Sequence, residues 1–244
     1  MFWPRPDKLK ADREPIPSMI TSCPRTRRCQ GLPLLTLGLI AAAFFGLAHP
    51  AMAQLGARTT EQWLKTLDSK SRLEKLQVDK AVGVLGLKPG SVVADVGAGA
   101  GAFTLPLSQA VGAQGKVYAI DIDQGLVEHI GKKAKEQGAT NVKPVLGQFT
   151  DPSLPAKDVD VAFIYDVLHH IENRSEYLKN LATYLKRDGR IAVIDFHPEL
   201  GPHKNDPTLQ VTRDQTKAWM AAAGLKPVAE HKLYDDKWYV VYGR

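Results

Sequence analysis

The sequence predicts an α/β fold, a three-layer sandwich on a mostly parallel seven-stranded sheet with an antiparallel C-terminal strand. Three observations predict it. Short runs rich in β-formers alternate with helix-length amphipathic segments, the signature of a parallel sheet fed by crossovers. Those runs are apolar along most of their length, as strands covered on both faces are. The last two runs are joined only by "YDD", a connection too short for a crossover, so that pair must be antiparallel.

The chain begins with a segment that belongs to no such layer. Residues 1–53 hold Arg25, Arg27 and Arg28, the apolar run Leu32–Ala48 and an Ala-x-Ala ending at Ala53. A basic stretch, an apolar core and small residues before a break describe a secretory signal peptide. Export to the periplasm or exterior after cleavage is therefore expected, the alternative being a membrane anchor formed by residues 32–48. The adjacent Arg27 and Arg28 loosely resemble a twin-arginine export signal. The formal charge of +6 comes largely from this leader: without it the chain has 25 Lys/Arg against 23 Asp/Glu, which offers nothing to attract nucleic acid. Membrane contact is expected only through an uncleaved leader. Both cysteines, Cys23 and Cys29, lie in the leader, so the remainder has no thiolate nucleophile, no cysteine-ligated metal and no disulfide. The remaining stretch of about 190 residues suits one α/β domain.

From there the elements follow in order. Residues 54–90 read as an N-terminal helical segment: a short helix within Ala57–Ser69 carrying Trp63, Leu64 and Leu67, then a capping box "SRLE" at Ser71–Glu74 opening a stripe of Leu73, Leu76, Val82 and Leu85. Strands are predicted at Ser91–Val96, Lys116–Asp121, Val142–Leu146, Val159–Tyr165 and Arg190–Asp195, with helices such as Gln124–Gln137 and Ser175–Lys186 between them. Thr212–Gly224 reads as a capped helix stopped by glycine, and Lys226–Leu233 and Lys237–Tyr242 as the closing antiparallel pair.

The chemistry concentrates at "VVADVGAGAG". A strand that enters a helix through Gly97, Gly99 and Gly101 omits three side chains where a ligand can approach the backbone, and opens amides toward it. Gly97, Gly99 and Ala102 also satisfy the dinucleotide pattern G-x-G-x-x-A, which keeps an NAD-dependent oxidoreductase as a rival. Asp95, two residues before the first glycine, argues against it: a carboxylate is repelled by pyrophosphate and attracted by a ligand carrying an ammonium and a sulfonium.

From about Leu73 to its end the chain resembles the class I S-adenosylmethionine-dependent methyltransferases. "VVADVGAGAG" resembles their first motif, whose glycines pass the amino-acid part of the cofactor. "VYAIDID" resembles the second, which implies that Asp121 accepts from the ribose hydroxyls and Ile122 lies against adenine. "LGQFTDP" holds the third position, with Gln148 and Phe149 where the family often has an aspartate. "DVAFIYDVLHHIEN" resembles the fourth, which places Tyr165 and Asp166 beside the reactive methyl. The resemblance implies S-adenosylmethionine as cofactor, residues 91–244 as the methyltransferase domain, and a seven-stranded sheet with its last strand reversed.

Other roles compete at several positions. Asp121 could cap the following helix, although Asp123 is the better cap; Asp95 could pair with a core lysine. His169 and His170 invite a metal reading, but neighbours on a helix point about 100° apart, and no second ligand cluster is evident, so no metal is expected. His197 and His203 could join the same rim or sit on a surface loop. Methyl transfer needs alignment and desolvation more than a covalent nucleophile. If a proton must leave the acceptor, Asp166, His169 and His170 are the candidate bases, His170 first among them. Trp63 and the segment His197–Pro207 are the expected determinants of a small-molecule acceptor. An exported chain would meet its cofactor only if loaded before export, which keeps a non-catalytic S-adenosylmethionine-binding protein as a further alternative.

Overall fold

The computed structural model describes residues 58–244. The leader read at residues 1–53, with Cys23 and Cys29, lies outside the described residues, among which no helix is long and apolar enough to cross a membrane.

Helix α1 (Thr60–Leu67) starts at a capping box in which Thr59 and Gln62 satisfy each other's backbone N–H groups, and none of its residues is buried. The box expected at Ser71 does not form. Instead a single turn, α2 (Lys70–Leu73), begins at Ser69, and Gln77 adopts the left-handed region at φ +47° before α3 (Val78–Gly83). The Gln77 amide donates to Leu233 O at 2.7 Å, which holds the chain in a turn where the apolar period suggested one continuous helix. Leu76, Val82 and Leu85 still reach the core, while Leu73 stays 38% exposed.

The sheet comprises β1 (Val92–Val96), β2 (Lys116–Asp121), β3 (Val142–Leu146), β4 (Val159–Tyr165), β5 (Leu185–Phe196), β6 (Lys226–His231) and β7 (Lys237–Gly243), in the order β3-β2-β1-β4-β5-β7-β6. Only β7 runs against its neighbours, β5 and β6. Helices α4 (Thr104–Val111), α5 (Gln124–Glu136), α6 (Arg174–Thr183) and α7 (Arg213–Ala222) complete the layers. One face buries Val96, Ile164, Leu178, Leu181 and Met220, the other Val93, Leu107, Ile130 and Phe163, which makes the three layers. Truncating the leucine, isoleucine, methionine or phenylalanine side chains among these to alanine should cost about 2–5 kcal/mol.

Helix α6 ends three residues earlier than Ser175–Lys186 predicts. Leu185 pairs with Val159 and so is drawn into β5, which a register shift lengthens at its start. The strand order reverses between β1 and β4, and ligands of open α/β sheets bind outside the carboxyl ends at such a point.

Candidate active site

At that point the loop after β1 turns through Gly97 and Gly99, at φ +68° and +57°. A Cβ on Gly97 would stand 2.7 Å from Cγ1 of Val167, so glycine is required there for space as well as for conformation. At Gly99 the nearest atom is Leu67 Cδ1 of α1, 3.0 Å from where a Cβ would be. Three loop amides are engaged internally: Ala98 N donates to Ile120 O at 2.9 Å, Gly99 N to Asp121 Oδ2 at 2.9 Å and Gly101 N to Ala98 O at 2.8 Å. The expectation that this loop opens its amides to a ligand does not hold for these three. With those three amides turned into the fold, the loop offers a pyrophosphate fewer donors than the dinucleotide pattern suggests.

Asp95 is 3% exposed, and its Oδ2 accepts from Thr104 Oγ1 at 2.6 Å. The carboxylate expected against the ligand, or paired with a lysine, is held inside the fold by the first residue of α4. Burial pushes its pKa up to about 7, against the lowering hydrogen bond of Thr104 and with a raising contribution from Asp121. Asp121 ends β2, accepts from Gly99 N and from Asp123 N (3.1 Å), and is raised in pKa by burial despite those bonds. Asp123 caps α5 by accepting from Leu126 N at 2.9 Å, and it also accepts from Thr60 Oγ1 at 3.0 Å, so Asp121 is not the cap. Past it, Ile122 and Phe149 are 36% and 43% exposed, two apolar side chains left for a flat ligand to cover. Gln148 is exposed, and its backbone N–H donates to Asp151 O at 2.8 Å.

The ends of β4 and β5 form the other side. Tyr165 is 6% exposed and packs on Phe103 (ring centroids 4.6 Å) and Tyr234 (6.0 Å), a core position beneath the site where ligand contact was expected. Asp166 follows at φ +60°, unusual for a non-glycine, with Oδ1 buried and unpartnered. Burial raises its pKa, although the charges of His169, Lys237 and Arg72 oppose this. Lys237, unnoticed in the sequence, is buried with Nζ 3.9 Å from the Phe196 ring centroid and 3.1 Å from Asp236.

His169 and His170 lie on a 3-10 turn, Leu168–His170. His169 is buried; its Nδ1 is 2.8 Å from Asp195 Oδ1, and its backbone N–H donates to Asp195 Oδ2 at 3.1 Å. Burial lowers the His169 pKa, but the Asp195 hydrogen bond and charge outweigh this and raise it. Burial and the neighbouring His169 drive His170 down to about 3, so it stays neutral, and its Nδ1 is buried without a partner. His203, from the loop after β5, completes the group at 5.2 Å and 5.5 Å from the two rings. The sequence expectation that no further ligand stands near the pair is thus corrected: fold topology supplies His203 and Asp195. Arg174 makes the approach possible by donating to His169 O at 2.7 Å and Thr208 O at 2.8 Å, tying the two loops together. His197 does not join; its amide donates to Asp236 O at 2.9 Å. Trp63, half-buried on α1, lies under Arg58 at 4.7 Å.

A reversed last strand, a bare loop after β1, a carboxylate ending β2 and exposed apolar groups beside it define a class I S-adenosylmethionine-dependent methyltransferase fold. The methyltransferase domain family matches residues 87–241, and the chain belongs to that family, with S-adenosylmethionine as its cofactor. It is similar to a solved SAM-dependent methyltransferase from Aquifex aeolicus (28% identity, TM-score 0.69, covering 76% of this chain and 98% of that one). Among curated proteins it is 35% identical over 104 residues to aklanonic acid methyltransferase DauC of Streptomyces sp. strain C5, covering 42% of this chain and 47% of that one. It is 31% identical over 119 residues to the ubiquinone/menaquinone biosynthesis C-methyltransferase UbiE of Vibrio campbellii, covering 48% and 46%. The match spans less than half the length of these two curated relatives. The residues fit the cofactor: Asp121 would hold the ribose, Ile122 and Phe149 the base, and the loop from Gly97 to Gly101 the amino-acid portion.

Proposed function

We propose that the chain transfers a methyl group from S-adenosylmethionine to a small-molecule acceptor held at the carboxyl ends of β4 and β5. The observation that carries this reading is Asp166, strained at φ +60° and with a buried oxygen lacking a partner. Such a backbone costs on the order of 1–3 kcal/mol and marks functional sites. An acceptor hydroxyl or amine donating to Oδ1 would pair the orphaned oxygen, align its own lone pair and pass on its proton as the bond forms. When bound, the cofactor supplies an electrophilic methyl group on a sulfonium. A small acceptor also accords with the names of the relatives, which refer to aklanonic acid and to ubiquinone/menaquinone biosynthesis. The test is calorimetry with S-adenosylmethionine, its demethylated product and NAD, followed by transfer of labelled methyl to small molecules of a lysate. Binding of the first two without NAD, together with a labelled product lost in Asp166→Asn, is expected. Tight binding with no labelled product would make the chain a binding protein instead.

We further propose that residues 1–53 are an export leader cleaved after Ala53, and that residues 54–90 and 91–244 are the helical segment and the methyltransferase domain. The basic residues, the apolar run and the Ala-x-Ala ending support this. Mass spectrometry of the chain from its native cell should find Gln54 at the N-terminus; an intact Leu32–Ala48 in the membrane fraction would mean an anchor.

A further inference from the structure

Three histidines and an aspartate at the ends of β4 and β5 are left unused by this chemistry. The geometry points to a site for a divalent cation of the zinc type, ligated by His169, His170 and His203, with Asp195 orienting the first of them.

Each imidazole has a nitrogen within 4.8 Å of the corresponding nitrogens of the other two. Ring centroids stand 4.1, 5.2 and 5.5 Å apart. Three imidazoles bound tetrahedrally at about 2.0–2.1 Å would place their centroids roughly 5 Å from one another, so small rotations bring the rings into position. The neighbouring pair, which could not chelate from an ideal α-helix, stands on a 3-10 turn with ring centroids 4.1 Å apart and a nitrogen of each within 4.8 Å of the other's.

His169 is prepared in the manner of metal-bound histidines. Its Nδ1 is 2.8 Å from Asp195 Oδ1, which leaves Nε2 as the free donor, and a carboxylate behind a ligating imidazole fixes its tautomer and orientation. Asp195 is itself fixed, accepting from the backbone N–H groups of His169 and Phe196. His170 Nδ1 is an independent indication: it is buried with no hydrogen-bond partner, a cost that a metal bond would remove. Three neutral nitrogen ligands with a fourth position open suit zinc and resemble no hard-cation site.

The test is titration of the full chain, stripped of metal, with Zn²⁺ by calorimetry and with Co²⁺ by visible absorption, in the absence of cofactor and acceptor. One ion per chain at this site and the intense bands of four-coordinate cobalt are expected. His203→Ala, on an external loop, and His170→Gln should each weaken Zn²⁺ binding by more than about 100-fold, and Asp195→Asn by about 10–100-fold. Circular dichroism and S-adenosylmethionine affinity matching the parent chain would show that the variants are folded. Failure of the folded parent to bind Zn²⁺, or unchanged affinity in His203→Ala and His170→Gln, would overturn the site. Because neither readout involves methyl transfer, that failure would leave the proposed activity standing.

Discussion

On the β1–β2 side of the switch point the site is built on a glycine loop and the carboxylate that braces it, whereas on the β4–β5 side it is made of side chains drawn from separate segments. The first side is local: Gly97, Gly99 and Asp121 lie within 25 residues, and the loop's hydrogen bonds are satisfied within it. The second is assembled: Asp166, His169 and His170 follow β4, Asp195 ends β5, His203 comes from the next loop and Lys237 opens β7. A backbone site tolerates change in most of its side chains but none at its glycines. An assembled site tolerates backbone adjustment but depends on each side chain, so the first suits a cofactor shared by a family and the second an acceptor that differs between members.

If the division is real, substitutions on one side should leave the other's readout unmoved. The largest effect belongs to Asp166→Asn, expected to reduce turnover by about 100-fold or more while S-adenosylmethionine affinity is kept; lost affinity in calorimetry would place Asp166 on the cofactor side. Next, Gly99→Val combines a positive φ with the crowding of Leu67: it should lower cofactor affinity by about 100-fold or more and, because the folded loop bears the strain, lower the melting temperature by several degrees as well. Unaltered affinity would remove the loop from the site. Asp121→Ala should weaken binding by about 1–3 kcal/mol, and because Gly99 N loses its acceptor, hydrogen exchange at that amide should quicken as well.

The smallest effect concerns Asp95 and sharpens the contrast through pH. Its folded pKa of about 7 lies above the ordinary 3.8, so its contribution to stability is complete below about pH 4 and is lost as pH rises through about 7. Asp95→Asn can keep the Thr104 hydrogen bond and should flatten that slope, making the variant the more stable chain near pH 8. A denaturation series with an unchanged slope would refute the assignment.

The main-chain side was legible in the sequence because its determinants are contiguous: glycines at alternate positions, a carboxylate ending the next strand, Asp123 as a cap. Even there, the sequence did not reveal that Asp121 takes up an amide of the loop or that Asp95 turns inward to Thr104, since both depend on packing between elements. On the other side, His169 and His170 were visible as a pair, yet His203 lies 33 residues beyond His170 and meets it through packing between loops, which Arg174 ties together by bonding His169 O and Thr208 O. The interruption at Gln77 was hidden for a similar reason. Its partner, Leu233 O, comes from the opposite end of the domain, and no local pattern reports it.

Val167 occupies the hollow where Gly97 lacks a side chain. The two regions therefore share a single partition, one residue thick. Trimming that valine to make room for a larger acceptor would also unprop the cofactor loop, so acceptor preference and cofactor binding cannot be altered independently at this position.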